Sequence, residues 1–193
     1  MLDHIINLTY RVSLVKRVCG GGVCVLPLCL IHKRAVLNLD SPNGECFQYA
    51  FVASIHHTEV DQHHKNHASL YKKYMKLYDF TCFTYPIDAA EIKHFEKLNP
   101  NVSINAVIWD DDDGPQLCYA SHNHTAPNHS MLLFYNNHWL PVADFNQLMG
   151  CENVSSAYCS YCLNNFHHPE NLTMHIPKCL GQQEFMPVNE TFE

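Results

Sequence analysis

The chain has 193 residues, a formal net charge of −7 with histidine counted as neutral, and an apolar content of 47%. This length allows one principal domain of about 110 to 120 residues and a small module, and the apolar content excludes global disorder. Because only 16% of the residues are charged and the balance is acidic, long-range electrostatics oppose phosphate binding over most of the surface. Any contact with nucleic acid is therefore expected to be local.

The ten cysteines follow no regular spacing that would indicate a disulfide framework. This predicts a reducing compartment, the cytoplasm or the nucleus, and no membrane association. Secretion is the alternative, because an apolar run at 18–31 follows two basic residues and several N-x-S/T triplets lie downstream. A signal peptide is disfavoured, since the run contains three glycines and a proline and is followed by His32, Lys33 and Arg34.

Residues 1–35 mix apolar positions with a Cys-Gly-Gly-Gly break, and they are predicted to form a poorly ordered leader or a loosely attached strand pair. A short entry strand is expected at 36–39, and a turn at 40–44. Apolar residues at helical spacing then predict a buried helix over 45–57, with Cys46 in its first turn.

A histidine-rich loop at 56–67 precedes a second predicted helix. The apolar stripe of that helix is formed by Leu70, Tyr71, Tyr74, Leu77 and Tyr78. A strand is expected at 80–85. The segment 88–91 is similar to a capping box, so a third helix is predicted to begin there and to end at Asn99-Pro100.

Four strands and a short helix are predicted in the remainder of this domain. An acidic turn at 110–114 joins the first two strands, and Asn136-Asn137 forms a two-residue hairpin turn between the last two. The strands are expected at 102–109, 116–120, 130–135 and 138–143, and the helix at 144–149. The order predicts an α+β domain over 36–150, in which papain-like helices are followed by an antiparallel sheet.

The segment from Cys159 to Cys179 spaces four metal ligands as C-x2-C-x12-H-x3-C. The ligands are Cys159, Cys162, His175 and Cys179. Two thiols in a tight knuckle, and a His and a Cys four residues apart on a helix, can close a tetrahedron around Zn²⁺. Phe166 and Leu172 lie at the two core positions of a ββα finger, and Pro169 suits the first turn of its helix.

A zinc finger is therefore predicted at 151–180, followed by a disordered tail at 181–193. The alternative is that these four residues are unrelated buried or disulfide-bonded side chains. That alternative leaves the two apolar core positions and the proline of the finger unexplained.

Three stretches of the chain, together with the finger, resemble a known family. They are NLDSPNGECFQYAF, FTYPIDAAEIKHFEKLNPNVSINAVIW and HSMLLFYNNHWLPVADFNQLM. The family is a domain found upstream of protein-primed family B DNA polymerases in Maverick/Polinton-type transposable elements, and in invertebrate proteins derived from them. The residues that carry the likeness are Cys46-Phe47, Pro86, Ile92, Phe95, Glu96, Asn99, His138-Trp139 and the finger ligands.

The likeness covers about 36–179, with Trp139 where the family usually has tyrosine and with a leader that does not match. It implies association with the replication or processing machinery of a mobile element, but no particular activity. The leading hypothesis is therefore a zinc-binding accessory module of mobile-element origin. Its expected partner is a protein, with nucleic-acid contact as a weaker expectation.

A cysteine peptidase is the alternative, because Cys46 at a helix start has a favoured thiolate and His138 follows later on a strand. This order is similar to that of papain-like and ovarian-tumour-type peptidases, and it would make the protein a peptidase-like or deubiquitinase-like hydrolase. Asp144 or Asn146 would orient the imidazole. A competing set is Cys46, His129 and Asp144, since the hairpin register places His129 opposite Asp144. The structural alternative is that Cys46 and His138 are simply buried.

The finger lacks the residues expected of a DNA reader. Its base-reading positions are His168, Asn171 and Met174, with Glu170 among them, and none is basic. A structural or protein-docking finger is therefore favoured. Three weaker hypotheses remain: a second metal at His63 and His67, a hard cation at 110–113, and single-stranded nucleic acid on the tyrosines of the second helix.

Overall fold

The computed structural model describes residues 22–42, 44–81, 83, 87, 89–150 and 156–179. The helices are α1 Leu28–Lys33, α2 Cys46–His56, α3 Lys72–Met75, α4 Ala89–Leu98, α5 Phe145–Leu148 and α6 Pro169–His175, with 3-10 turns at His57–Glu59, Ala68–Tyr71 and Ile176–Lys178. The strands are β1 Val102–Asp110, β2 Gly114–Ala120, β3 Asn128–Tyr135, β4 His138–Pro141, β5 Ala157–Tyr158 and β6 Asn165–Phe166. The predicted α+β class is confirmed.

The main sheet has the order β2-β1-β3-β4 and is mixed. The prediction of an antiparallel sheet is wrong for its central pair, because β1 and β3 run parallel with Val102 beside Asn128. The β1–β2 hairpin returns the chain to the start of β1, where Asn105 pairs with Ala120. The connection 121–127 then crosses at that same end of the sheet, so β3 must start beside the start of β1.

One face of the sheet is covered by α2 and α4, which bury an aromatic core. Phe51 lies 4.8 Å from Phe95 between ring centroids, and Phe47 lies 5.9 Å from Phe95 and 5.6 Å from Trp139. The rings meet edge to face, which is a favourable geometry for aromatic pairs. The Trp139 indole also donates a hydrogen bond to the Ile87 carbonyl at 3.1 Å, so its polar atom is satisfied within the core.

The opposite face is covered by α1, α5 and the segment that joins α1 to α2. Leu30, Ala35 and Leu148 are buried there in one cluster with Leu140 of β4. The leader predicted at 1–35 is described only from residue 22 onward, and this part packs as an integral layer of the domain. Residues 1–21 of that leader and the tail predicted at 181–193 lie outside the described residues.

Two predicted elements, one before α2 and one between α2 and α4, are shorter than expected. The entry strand at 36–39 is a single bridge of Val36 with Val142, extended by a hydrogen bond from the Leu37 N–H to the Pro141 carbonyl at 3.0 Å. The second helix is a 3-10 turn followed by the four residues of α3. The buried Tyr71 hydroxyl donates to the Lys65 carbonyl at 2.7 Å, and this bond ties the start of the element to the loop before it.

The strand predicted at 80–85 is absent from the described residues of that segment, which are 80, 81 and 83. Asp79 forms a turn by accepting from the Thr81 N–H at 2.9 Å. The Asn99 side-chain oxygen accepts from the Asp79 N–H at 2.9 Å, and its NH2 group donates to the Asp79 carbonyl at 3.1 Å. Phe80 and Phe83 therefore add their rings to the aromatic core instead of pairing in the sheet.

The two hairpin turns form as predicted. Asn136 and Asn137 have φ values of 49° and 58°, the left-handed conformation that a type I′ turn requires, and Tyr135 pairs with His138. At the acidic turn, the Asp110 carboxylate accepts from the N–H groups of Asp112 and Asp113 at 2.9 and 3.1 Å. That carboxylate organises an exposed turn.

Candidate metal centre and candidate catalytic residues

Cys159, Cys162, His175 and Cys179 form a cluster that can hold a metal ion. Their ligand atoms all lie within 4.8 Å of one another, and the three cysteines are buried. It is the one group of three or more potential ligands found in the described part of the chain. His63 and His67 do not belong to such a group, since His67 bonds Asp40 and the His63 N–H bonds Asp61.

The short β5–β6 hairpin presents the first two thiols. The Leu163 N–H donates to the Cys159 carbonyl at 2.8 Å, and the Cys159 N–H donates to the Asn164 carbonyl at 2.9 Å. Leu163 adopts a left-handed φ of 59° to close this knuckle. The two bonds fold the chain back within four residues, so both sulfur atoms point to one side.

The helix α6 and the 3-10 turn after it present the other two ligands. Pro169 occupies the first turn of α6, as predicted, and His175 ends the helix. The Phe166 ring packs 4.7 Å from the His175 ring, and Leu172 packs against the same cysteine cluster. These contacts fix the imidazole beside the thiols, and they confirm the predicted ββα arrangement.

Burial makes this cluster unfavourable for uncompensated thiolates. It raises the pKa of Cys159 to about 12 and also raises the pKa of Cys162. The N–H groups of Tyr161 and Cys162 bond the Cys159 sulfur and oppose this shift. Adjacent buried thiolates need a positive partner, so the side chains are suited to a cation that displaces their protons.

The finger is docked on the end of the sheet at which β1 and β3 begin. The residues that make this junction are His124 and His129 of the α+β domain and Ser160, Tyr161 and Ile176 of the finger. Tyr161 is only 4% exposed, and its ring lies 4.0 Å from the His124 ring and 5.4 Å from the His129 ring. In addition, the Asn146 side-chain oxygen accepts from the Tyr158 N–H at 2.9 Å.

The two residues of the predicted catalytic pair, Cys46 and His138, lie on α2 and on β4. Cys46 begins α2 and belongs to the core on the α2 face, where Trp139 also packs. Side chains alternate along β4, so His138 shares the face of Leu140, which belongs to the opposite core. Both residues are buried.

The predicted opposition of His129 and Asp144 is wrong. The β3–β4 ladder ends at Leu132 and Pro141, because the chain then turns so that the N–H groups of Ala143 and Asp144 bond the Ala35 carbonyl. Asp144 instead caps α5 by accepting from the Gln147 N–H at 2.9 Å. Asn146, the other predicted orienting residue, anchors the finger.

His129 is engaged at the junction through both of its ring nitrogens. Its Nδ1 lies 2.8 Å from the Ser103 hydroxyl and its Nε2 lies 3.2 Å from the Ser160 hydroxyl. Desolvation of the imidazole by these neighbours, together with His124, lowers the pKa of His129 to about 4, although the residue as a whole is exposed. His129 is therefore a neutral linker between the sheet and the finger.

A second histidine network was not predicted from the sequence. The His56 Nδ1 lies 2.7 Å from the Glu59 carboxylate, its Nε2 lies 2.9 Å from the Tyr78 hydroxyl, and its ring stacks on Tyr74 at 4.1 Å. Burial and the nearby Glu59 raise the pKa of Tyr78, so the phenol stays protonated. The network ties the end of α2 to the segment after α3. The high histidine content of this region was its only sequence signal.

The fold and the site define an α+β domain that carries a Cys3His metal-ligand cluster at the end of its sheet. Comparison with protein-family models, curated proteins and solved structures found no match to this chain. Within the described residues, no helix has the length and apolar character needed to cross a bilayer.

Proposed function

We propose that the protein is a zinc-binding accessory module of mobile-element origin that mediates protein contacts linked to DNA replication or processing. The observation that carries the zinc assignment is the spacing of the ligand atoms. In a tetrahedral site with Zn–S of about 2.3 Å and Zn–N of about 2.0 Å, two sulfurs are about 3.8 Å apart and a sulfur and a nitrogen about 3.5 Å apart. Here Cys159 Sγ lies 3.8 Å from Cys179 Sγ, and Cys162 Sγ lies 3.3 Å from His175 Nε2.

The donor set favours zinc and a structural role. Three thiolates and one imidazole are soft ligands that Zn²⁺ binds well, whereas Mg²⁺ and Ca²⁺ require oxygen. Four protein ligands complete the tetrahedron and leave no position for a substrate or an activated water. The metal would therefore hold the module in shape, and it would not take part in catalysis.

The exposed face of α6 supports protein contacts over sequence reading of DNA. His168, Glu170, Asn171 and Met174 are exposed there, and none of them is lysine or arginine. Few counterions would be released on DNA binding, so the electrostatic part of DNA affinity would be small. The link to replication, and a cytoplasmic or nuclear location, depend on the family resemblance and on the cysteine pattern.

Replacing zinc by Co²⁺ tests the ligand set directly. We expect visible absorption bands of tetrahedral Co²⁺ with thiolate charge-transfer intensity, and their loss on addition of one equivalent of Zn²⁺. The Cys29→Ser variant should behave as the wild type, because Cys29 is an exposed cysteine outside the cluster. The weak absorption of six-coordinate Co²⁺, or a spectrum unchanged in Cys162→Ser, would contradict the proposal.

A further inference from the structure

We propose that His124 and Tyr161 are positioning residues for the metal ligands, so that zinc affinity and the stability of the α+β domain are linked through the junction. This inference rests on the proposed zinc binding. It goes beyond it by assigning the α+β domain a direct part in forming the metal site. It predicts that the finger binds metal more weakly when it is not held against the sheet.

Tyr161 lies between two of the ligands and is held by the sheet domain. It is one of only two residues between Cys159 and Cys162, so its position limits where both sulfur atoms lie. Its ring packs on the rings of His124 and His129, which both belong to the α+β domain. A buried aromatic ring at this place in a knuckle is a docking group, since a free finger would expose it to water.

His124 contacts both halves of the metal site with one side chain. Its ring lies against Tyr161, in the half that carries Cys159 and Cys162. Its Nδ1–H donates to the Ile176 carbonyl at 3.2 Å, in the half that carries His175 and Cys179. His124 comes from the 121–127 connection of the α+β domain, so an element of that domain bridges the two ligand-bearing segments.

Two more hydrogen bonds hold in place the half of the metal site that carries Cys159 and Cys162. The His129 Nε2 bonds the Ser160 hydroxyl, and the Asn146 side-chain oxygen accepts from the Tyr158 N–H. Residues within three positions of every ligand therefore contact the sheet domain or its connections. Forming these contacts brings the ligands together, so docking reduces the conformational entropy that metal binding alone would have to overcome.

Such coupling must be reciprocal. If docking raises the affinity for zinc, zinc must stabilise the docked α+β domain by the same factor. Couplings between sites are typically 5-fold to 150-fold, and we expect about a tenfold loss of zinc affinity when the His124 bridge is removed.

The fluorescence of the two tryptophans measures the stability of the α+β domain separately from zinc binding by the finger. Trp109 and Trp139 are the only tryptophans of the chain, and both lie in the main sheet. Tryptophan fluorescence therefore reports unfolding of the α+β domain alone. Zinc affinity is measured separately, by competition with a chelator of known affinity.

The test compares full-length wild type with His124→Ala, His124→Asn and Tyr161→Ala, which removes the buried ring. Met174→Ala serves as the matched control, because Met174 is a finger residue that is 64% exposed. We expect zinc to raise the tryptophan-reported Tm of the wild type and of the control. His124→Ala should bind zinc about tenfold more weakly and lose most of that increase. His124→Asn, which keeps a donor near the position of Nδ1, should recover part of both.

Wild-type zinc affinity in His124→Ala, or a wild-type Tm that zinc does not change, would overturn the linkage while leaving zinc binding intact. Absence of zinc binding in the wild type would overturn the proposed function as well, so the two failures are distinct. If His124→Ala does not fold, the zinc dependence of the wild-type Tm and the affinity of Tyr161→Ala, which should also be reduced, still decide the question.

Discussion

Glu96 shows how one side chain can complete the edge of a sheet. β2 ends opposite Asn105, so β1 has no neighbour on that side at Ile104. The Glu96 carboxylate of α4 accepts from the Ile104 N–H at 2.6 Å and from the Tyr119 hydroxyl at 2.6 Å. It replaces the missing strand partner, and this contact gives a physical role to one residue on which the family resemblance rests.

Glu96→Ala should destabilise the domain, because it leaves a buried backbone N–H and a phenol without their acceptor. Each unsatisfied group costs about 1 to 3 kcal/mol, so the free energy of unfolding should fall by at least about 2 kcal/mol. Glu96→Gln should lose less, since its amide oxygen can still accept. Urea unfolding measures the change, with Lys93→Ala on the exposed side of α4 as the control. Equal midpoints for Glu96→Ala and the control would contradict this role.

The environment of Cys46 predicts slow reaction with thiol reagents. Cys46 is 7% exposed, whereas Cys29 is exposed. A maleimide should therefore label Cys29 well before Cys46, as peptide mapping by mass spectrometry would show. Labelling of Cys46 ahead of Cys29 would support the cysteine-peptidase hypothesis, since reactive thiols are accessible and ionised.

The Asp40 carboxylate predicts a pH-dependent contribution to stability. The Ala68 N–H, bonded at 2.6 Å, and His67 hold the pKa of Asp40 below its ordinary value. A lowered carboxyl pKa stabilises the fold above the unfolded-state value of about 3.9, and this stabilisation is lost as the pH falls through the folded-state value.

Asp40→Asn should therefore reduce the urea midpoint clearly at pH about 6 and much less at pH about 2.5, where both chains lack the charge. The comparison of the two proteins at each pH isolates this group from other acid effects. The same reduction at both pH values would show that the charge on Asp40 is not the cause.

At the scale of elements, the β3–β4 hairpin is governed by its two-residue turn. Asn136 and Asn137 both have positive φ, which is least unfavourable for Gly and Asn. Asn137→Gly creates the preferred Asn-Gly turn and should raise the free energy of unfolding by about 0.5 kcal/mol. Asn137→Val should lower it by about 1 to 3 kcal/mol, because a β-branched residue is strained there.

Urea midpoints at unchanged m-value would measure both effects. A loss of stability in Asn137→Gly would mean that the Asn137 side chain, and not the turn conformation, stabilises the hairpin.

The elements predicted well from the sequence are those set by local chemistry. The Asn-Asn turn and the helix that begins at Cys46 follow from neighbouring residues, and the spacing of Cys159 to Cys179 defines the finger. The parallel pairing of β1 with β3 was missed, because strand order depends on which side of β1 the 121–127 connection crosses. Tertiary contacts also overrode the local pattern of the second helix, where the Tyr71 hydroxyl bonds the Lys65 carbonyl.

The expected register of His129 with Asp144 failed for a similar reason. The hairpin register placed His129 opposite Asp144 only if β4 continued past Pro141. The sequence did not show that the N–H groups of Ala143 and Asp144 would bond the Ala35 carbonyl instead. The docking role of Tyr161 was also missed. Its signal was an aromatic residue between two ligand cysteines, which becomes meaningful only when the sheet end that receives it is known.

At the scale of the whole molecule, one sheet organises three packed regions. The aromatic core with α2 and α4 covers one face, α1 and α5 cover the other, and the finger packs at the end where β1 and β3 begin. The finger is thus a third part of one structure and not a separate unit on a linker. This arrangement, on a chain of net charge −7, agrees better with a protein-docking module than with a DNA reader.

The metal content of the purified protein tests the central claim most directly. Elemental analysis of the full chain should give about one zinc per protein, and Cys159→Ser combined with Cys162→Ser should abolish it. Cys29→Ser, which removes a cysteine outside the cluster, should keep the metal. A wild type without zinc, or a double variant that retains it, would contradict the account.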